Sequence, residues 1–235
     1  MSLVNHLSAA VIGILWILPP ALAEETVVVE LYTSQSCGVC PVANALQMEL
    51  AREPGVVALT LNVDYWDYLG WKDDLALAEN GERQRAYSRQ FSSRHVYTPQ
   101  MMIDGKMDVV GSRRTEVRSA IEAMRASTDR AIVNLSLNDR DVKVSIAPTE
   151  FKIGDATVWL AGFDRTVTRK ISSGENSGRT INYANVVREW RDLGKWNAGS
   201  QTELIVSRPR GDGGVAVIVQ SGRIGPVFGA AQLDY

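Results

Sequence analysis

Only two cysteines occur in the 235-residue chain. They are Cys37 and Cys40, in the stretch SQSCGVCPVANAL, with Pro41 immediately after them. Such a spacing serves three chemistries: a redox couple, half of a metal site, or an inert local disulfide. A redox couple needs one sulfur exposed and held partly as thiolate, with a second near enough to resolve a mixed disulfide. A helix starting at the motif meets both needs. Its unpaired amide donors and dipole favour negative charge at Cys37, and one turn brings Cys40 alongside. Cys37 is then the attacking thiol and Cys40 the resolving one. A permanent disulfide across so short a loop would constrain the unfolded chain little. A closed zinc site wants four ligands, whereas His95 is the only histidine outside the amino-terminal segment. Cu(I) held by Cys37, Cys40 and His95 passes the ligand count. Met101, Met102 and Met107 follow nearby, although core packing competes for them.

Further polar and aromatic residues have two readings each. His95 either hydrogen-bonds near Cys37 and raises its thiolate fraction, or is a solvated loop histidine. Asp64 is a base for Cys40 or a cap for the segment after it. Tyr65, Trp66, Tyr68 and Trp71 line a groove over the sulfurs or pack an insertion onto the sheet. Glu175, Asn176 and Arg179 order a loop at the domain junction or meet a partner. One histidine outside the amino-terminal segment leaves no Ser, His and Asp arrangement to propose.

The elements that must position these residues follow from periodicity. Thr26 to Thr33 is a β-branched strand, and Gly38 to Glu53 carries the stripe of an amphipathic helix, stopped by Pro54-Gly55. Val56 to Val63 is a second strand, parallel to the first in a βαβ unit. Residues from about 64 to 96 form a helical insertion, with a break at Asn80-Gly81 and a helix from Glu82 to Phe91. Two short strands flank a turn at Asp104-Gly105, and a helix runs from Arg114 to Ala126. From about Asp129 the pattern becomes strands at 131–139, 141–148, 156–164, 166–172, 202–207 and 215–220, which reads as an antiparallel sandwich or barrel. Residues 180–195 fit either helix or strand. The expected division is 1–23, 24–128 and 129–235.

Segment 1–23 has no Asp, Glu, Lys or Arg, an apolar run from Leu7 to Leu18, and Ala21-Leu22-Ala23 at its end. It reads as a signal peptide cut after Ala23, leaving no stable membrane anchor, because Pro19-Pro20 interrupts a run too short to span. Export, with a bacterial periplasm as the expected destination, places the cysteines where disulfides persist. With 25 basic against 27 acidic residues and no Lys or Arg run, nucleic acid is not an expected partner.

A strand leading into Cys-x-x-Cys at a helix start, and a proline just ahead of a later strand, resemble the thioredoxin superfamily. The resemblance implies that Thr98-Pro99 is a cis bond and that this loop lies against the sulfurs as a substrate-binding edge. The stretches ELYTSQSCGVCPVA, NVDYWDYLGWKD, ERQRAYSRQ, YTPQMMIDG and GENSGRTINYANVVREW resemble more closely the secreted thioredoxin-like family labelled domain of unknown function 1223. That resemblance implies an α/β thioredoxin-like domain followed by a mainly antiparallel β domain, with no established reaction. The expected activity is thiol-disulfide exchange with protein thiols, disulfides or a redox partner protein, needing no cofactor beyond the Cys37-Cys40 pair. The alternatives are a Cu(I) carrier and a non-catalytic binding module.

Overall fold

The computed structural model describes residues 26–93, 95–127, 129–150 and 154–235. The expected leader, 1–23, lies outside the described residues, as does residue 128 at the expected junction. Among the described residues no helix is long and apolar enough to cross a membrane.

The β-branched run after the leader forms β1 (Val27–Thr33), buried along its whole length. α1 (Cys40–Leu50) follows, then β2 (Val56–Asn62). β1 and β2 are parallel, in register from Val27 against Val56 to Thr33 against Asn62. α1 buries Ala43, Leu46 and Leu50 against Val29, Leu31, Met101 and Ile121, the stripe its spacing predicts. It begins two residues later than expected, because Gly38 and Val39 form a turn in which Cys40 N–H donates to Cys37 O at 3.1 Å.

After β2 a short 3-10 turn at Asp67–Leu69 leads to α2 (Ala78–Gln90). The expected break at Asn80-Gly81 is absent, and α2 runs through it. Asn80 Nδ2 donates to Asn62 O at 2.9 Å, and Trp190 Nε1 donates to Asn80 Oδ1 at 3.0 Å. These tertiary bonds outweigh the roughly 1 kcal/mol that glycine costs a helix interior.

β3 (Gln100–Ile103) and β4 (Met107–Val110) form the expected hairpin, with β3 antiparallel to β1. Met101 and Met102 are fully buried core residues, while Met107 is partly exposed. The hairpin turn needs positive φ at Asp104 (48°) and Gly105 (62°). A Cβ on Gly105 would stand 2.0 Å from Gly225 O. Gly105→Ala is therefore expected to cost about 2–3 kcal/mol, read as a lower urea midpoint with unchanged slope. α3 (Arg114–Arg125) then packs beside α1.

The rest is β: β5 (Val133–Asn138), β6 (Asp141–Ile146), β7 (Ala156–Lys170), β8 (Thr180–Trp196), β9 (Thr202–Ser207), β10 (Gly214–Ser221) and β11 (Val227–Asp234). The segments 156–164 and 166–172, expected as separate strands, are largely one, and β11 was not anticipated. Residues 180–195 are strand. Their burial is continuous at mid-strand instead of alternating, and Asn185 sits at positive φ, so period two is masked there.

One sheet has the order β11-β10-β7-β8-β2-β1-β3-β4, and a second has β5-β6-β9. Only β1–β2 and β2–β8 are parallel neighbours in the large sheet. The fold is thus mixed α/β, with a large, mostly antiparallel sheet and a smaller second one. The small sheet packs its Val142, Val144 and Leu204 against Val158, Leu160 and Val217 of the large sheet, the face-to-face layering of a sandwich. β8 meets β2 through the Thr60–Val186 pair, with Thr60 Oγ1 donating to Ala184 O and Asn185 Nδ2 to Ala58 O. At about 3.3 Å per residue, the β7–β8 ribbon spans about 50 Å. Its connecting loop thereby reaches the amino end of α1.

Candidate functional site

Cys37 and Cys40 are bonded to each other, with Cα atoms 5.4 Å apart. The exposure expected of Cys37 is not found, since the residue is 2% exposed and Cys40 fully buried. The β7–β8 loop lies against the cysteine segment. Asn176 Nδ2 donates to Cys37 O at 2.9 Å and to Gln35 O at 2.8 Å, and Gly38 N–H donates to Glu175 Oε2 at 2.8 Å. Arg179 Nη1 donates to Asn176 Oδ1 at 3.2 Å, holding the amide so that its hydrogens face the cysteine segment. A Cβ on Gly38 would meet Glu175 Oε2 at 2.7 Å, so the close approach requires glycine. Beside the pair, Val39 and Val42 are exposed, an apolar rim around an otherwise covered disulfide.

Beneath the motif lies a carboxylate that sequence reasoning did not single out. Asp73 is buried and accepts from Gln35 N–H, Gln35 Nε2, Asn62 Nδ2 and Leu75 N–H at 2.8 to 2.9 Å. Burial raises its carboxyl above the ordinary range, against the pull of those donors. It fixes Gln35, two residues ahead of Cys37. The insertion grips the same segment, with Trp71 Nε1 donating to Gln35 Oε1 at 2.7 Å and Ser36 Oγ donating to Trp71 O at 3.0 Å.

The proline loop packs on α1. Thr98-Pro99 is a cis bond. Gly111, whose N–H donates to Pro99 O, sits between Pro99 and Ala43 of α1, with an added Cβ reaching both within 3.2 Å. Trp66 Nε1 donates to Thr98 Oγ1 at 2.8 Å, so the aromatic insertion clamps the proline loop through Trp66 and the cysteine loop through Trp71. Gln84 of α2 braces the same loop, donating to Tyr97 O and Gln100 Oε1.

The other expected residues fall elsewhere. His95 is exposed in its loop, with its carbonyl accepting from Ser93 Oγ. Among the described residues no three His, Cys, Asp or Glu side chains form a group able to hold a metal, so Cys37, Cys40 and His95 are not assembled as a Cu(I) set. Asp64 is exposed, and its backbone carbonyl accepts from Asp67 N–H.

The family described as "Protein of unknown function (DUF1223)" matches residues 28–220. The chain belongs to that family. The matched span runs from β1 into β10 and takes in the cysteine motif, the proline loop and the β7–β8 cap. Among solved structures, this DUF1223 protein is similar to protein AGR_C_4864 from Agrobacterium tumefaciens, at 29% identity and a TM-score of 0.77, covering 88% of this chain and 93% of that one. It also resembles in fold HBP35 of Porphyromonas gingivalis, at 12% identity and a TM-score of 0.59, covering 89% and 75%. No curated protein matches the sequence.

Proposed function

We propose that this protein is an exported, periplasmic, thioredoxin-like thiol-disulfide oxidoreductase. It exchanges electrons with protein thiols and disulfides, or with a redox partner protein, through Cys37 and Cys40. The observation that carries this reading is the bonded pair at the amino end of α1, with Cys37 in the turn before it and Cys40 its first residue, in a parallel strand-helix-strand unit with Pro99 packed beside the same helix. Residues 24–128 act as the thioredoxin-like unit, and 129–235 as the β unit that supplies the cap. The leader-like sequence of residues 1–23 supports export.

In the reduced protein, the Cys37 thiolate attacks a partner disulfide. A bond forms from Cys37 to one partner sulfur, and the other partner sulfur leaves as thiolate. The Cys40 thiolate then attacks Cys37 sulfur, releasing the second partner thiolate and restoring the Cys37-Cys40 bond. Two electrons pass to the partner, and the two thiol protons end on its sulfurs or in solvent. The reverse sequence oxidises a partner dithiol. No cofactor enters.

Access requires the cap to open. What holds it is a few hydrogen bonds from Glu175 and Asn176, and two lost amide bonds amount to about 1–2 kcal/mol. Asn176→Ala is accordingly expected to speed reduction of the disulfide by dithiothreitol about tenfold, measured by timed thiol trapping. An unchanged rate would mean that the cap does not limit access.

The experiment that tests the function is a titration of the pair across glutathione redox buffers, with acid quench and alkylation. A couple poised above about −300 mV supports exchange, whereas one that stays oxidised below that value behaves as a structural staple.

A further inference from the structure

We propose that Glu175 sets the redox poise of the Cys37-Cys40 couple, by placing a carboxylate on the backbone N–H that follows Cys37. The inference rests on the thiol-disulfide reading above and names the residue that tunes that same site.

Three observations carry it. Glu175 Oε2 accepts from Gly38 N–H at 2.8 Å, the first amide after the attacking cysteine. Cys40 N–H is already turned back onto Cys37 O. Two of the amides that a helix start would offer to a thiolate are therefore occupied, one of them by a negative charge. Among the described residues no ion pair neutralises Glu175. The other carboxylates of this end are spoken for: Asp73 by four donors, and Asp74 by Arg169 and Gln35.

The consequence follows from the charges of the two redox states. A disulfide is neutral and indifferent to a neighbouring carboxylate, whereas a thiolate at Cys37 is repelled by it. The pair gains two electrons and up to two protons on reduction. A small dithiol or glutathione supplies them and becomes the corresponding disulfide. Glu175 disfavours the ionised reduced state alone, biasing the couple toward the disulfide and making the reduced protein the stronger electron donor. The position is exposed, so screening limits the effect.

Glu175→Gln keeps an acceptor for Gly38 N–H and removes only the charge. At pH 8 it is expected to shift the equilibrium with glutathione about tenfold toward the dithiol, which is about 30 mV more oxidising. Gly38→Ala leaves residue 175 intact but displaces its carboxylate, and is expected to shift the equilibrium in the same direction. Raising sodium chloride to about 1 M should bring the wild type toward the variant. A purely structural cap would move the melting temperature and leave the potential alone. If the pair titrates and both variants stay within about twofold of wild type, the assignment of Glu175 is wrong while the oxidoreductase reading stands. If the wild-type pair does not titrate at all, both fall together.

Discussion

Cys37→Ser is expected to bring thiol-disulfide exchange down to the buffer background, whereas Cys40→Ser is expected to leave a protein that reacts once and stops. The asymmetry comes from position. Cys37 lies in the turn ahead of α1, on the segment that the cap touches, while Cys40 is the first residue of the helix and fully buried. A serine hydroxyl at 37 does not ionise near neutral pH, and the one sulfur left, on Cys40, is fully buried at the start of the helix and out of a partner's reach. A serine at 40 leaves the attack intact and removes the resolving step, so the mixed disulfide persists. Mass spectrometry of each variant after incubation with an oxidised peptide reads this directly. The peptide adduct should accumulate on Cys40→Ser alone. Adducts of equal yield on both variants would reverse or erase the assigned roles, and adducts on neither would favour an inert bridge.

Much of this site was legible in the chain because its signals are local. A β-branched run, a Cys-x-x-Cys pair and an amphipathic stripe ended by Pro54-Gly55 are each read within a dozen residues, and β1, α1 and β2 follow. The Asp104-Gly105 turn is equally local. What escaped reading is long-range. Asn176 reaches Cys37 across a sequence separation of 139 residues, and nothing in GENSG alone says where that loop will land. Gly174 and Gly178, both at positive φ, were the available sign of a tight polar loop, but not of its contact. The burial of Cys37 was illegible for the same reason, since a helix start predicts exposure until another segment covers it. Asp73 looked like one acid among several in YWDYLGWKDD, and its distinction is the four donors that converge on it from three segments. Asn80-Gly81 misled because a local breaker was overruled by bonds to Asn62 and Trp190.

The largest stability effect is expected away from the sulfurs, at Arg83. Glu30 of β1 and Arg83 of α2 are both buried and form a two-point ion pair at 2.8 and 2.6 Å. Burial works against the charge on Arg83, yet the charge and hydrogen bond of Glu30, together with the Tyr87 and Tyr32 oxygens, hold the guanidinium above its ordinary range. Burial pushes Tyr32 and Tyr87 up as well, so both stay neutral donors, with Tyr32 OH donating to Glu30 at 2.9 Å. Arg83 also donates to Gln220 of β10 at 2.9 Å and stacks over Trp190 at 4.7 Å, so one side chain links β1, α2, β8 and β10. Surface pairs such as Lys143 with Glu203 hold two mobile side chains in water and contribute little. Arg83→Met would leave the Glu30 carboxylate buried without its counter-charge, and is expected to cost about 3–5 kcal/mol in urea unfolding. Glu30→Leu with Arg83→Met removes both charges and should recover part of that loss, though not all, because Tyr32, Tyr87 and Gln220 lose partners. A double variant no more stable than Arg83→Met would mean that the single loss comes from packing on the tryptophans and not from the stranded charge.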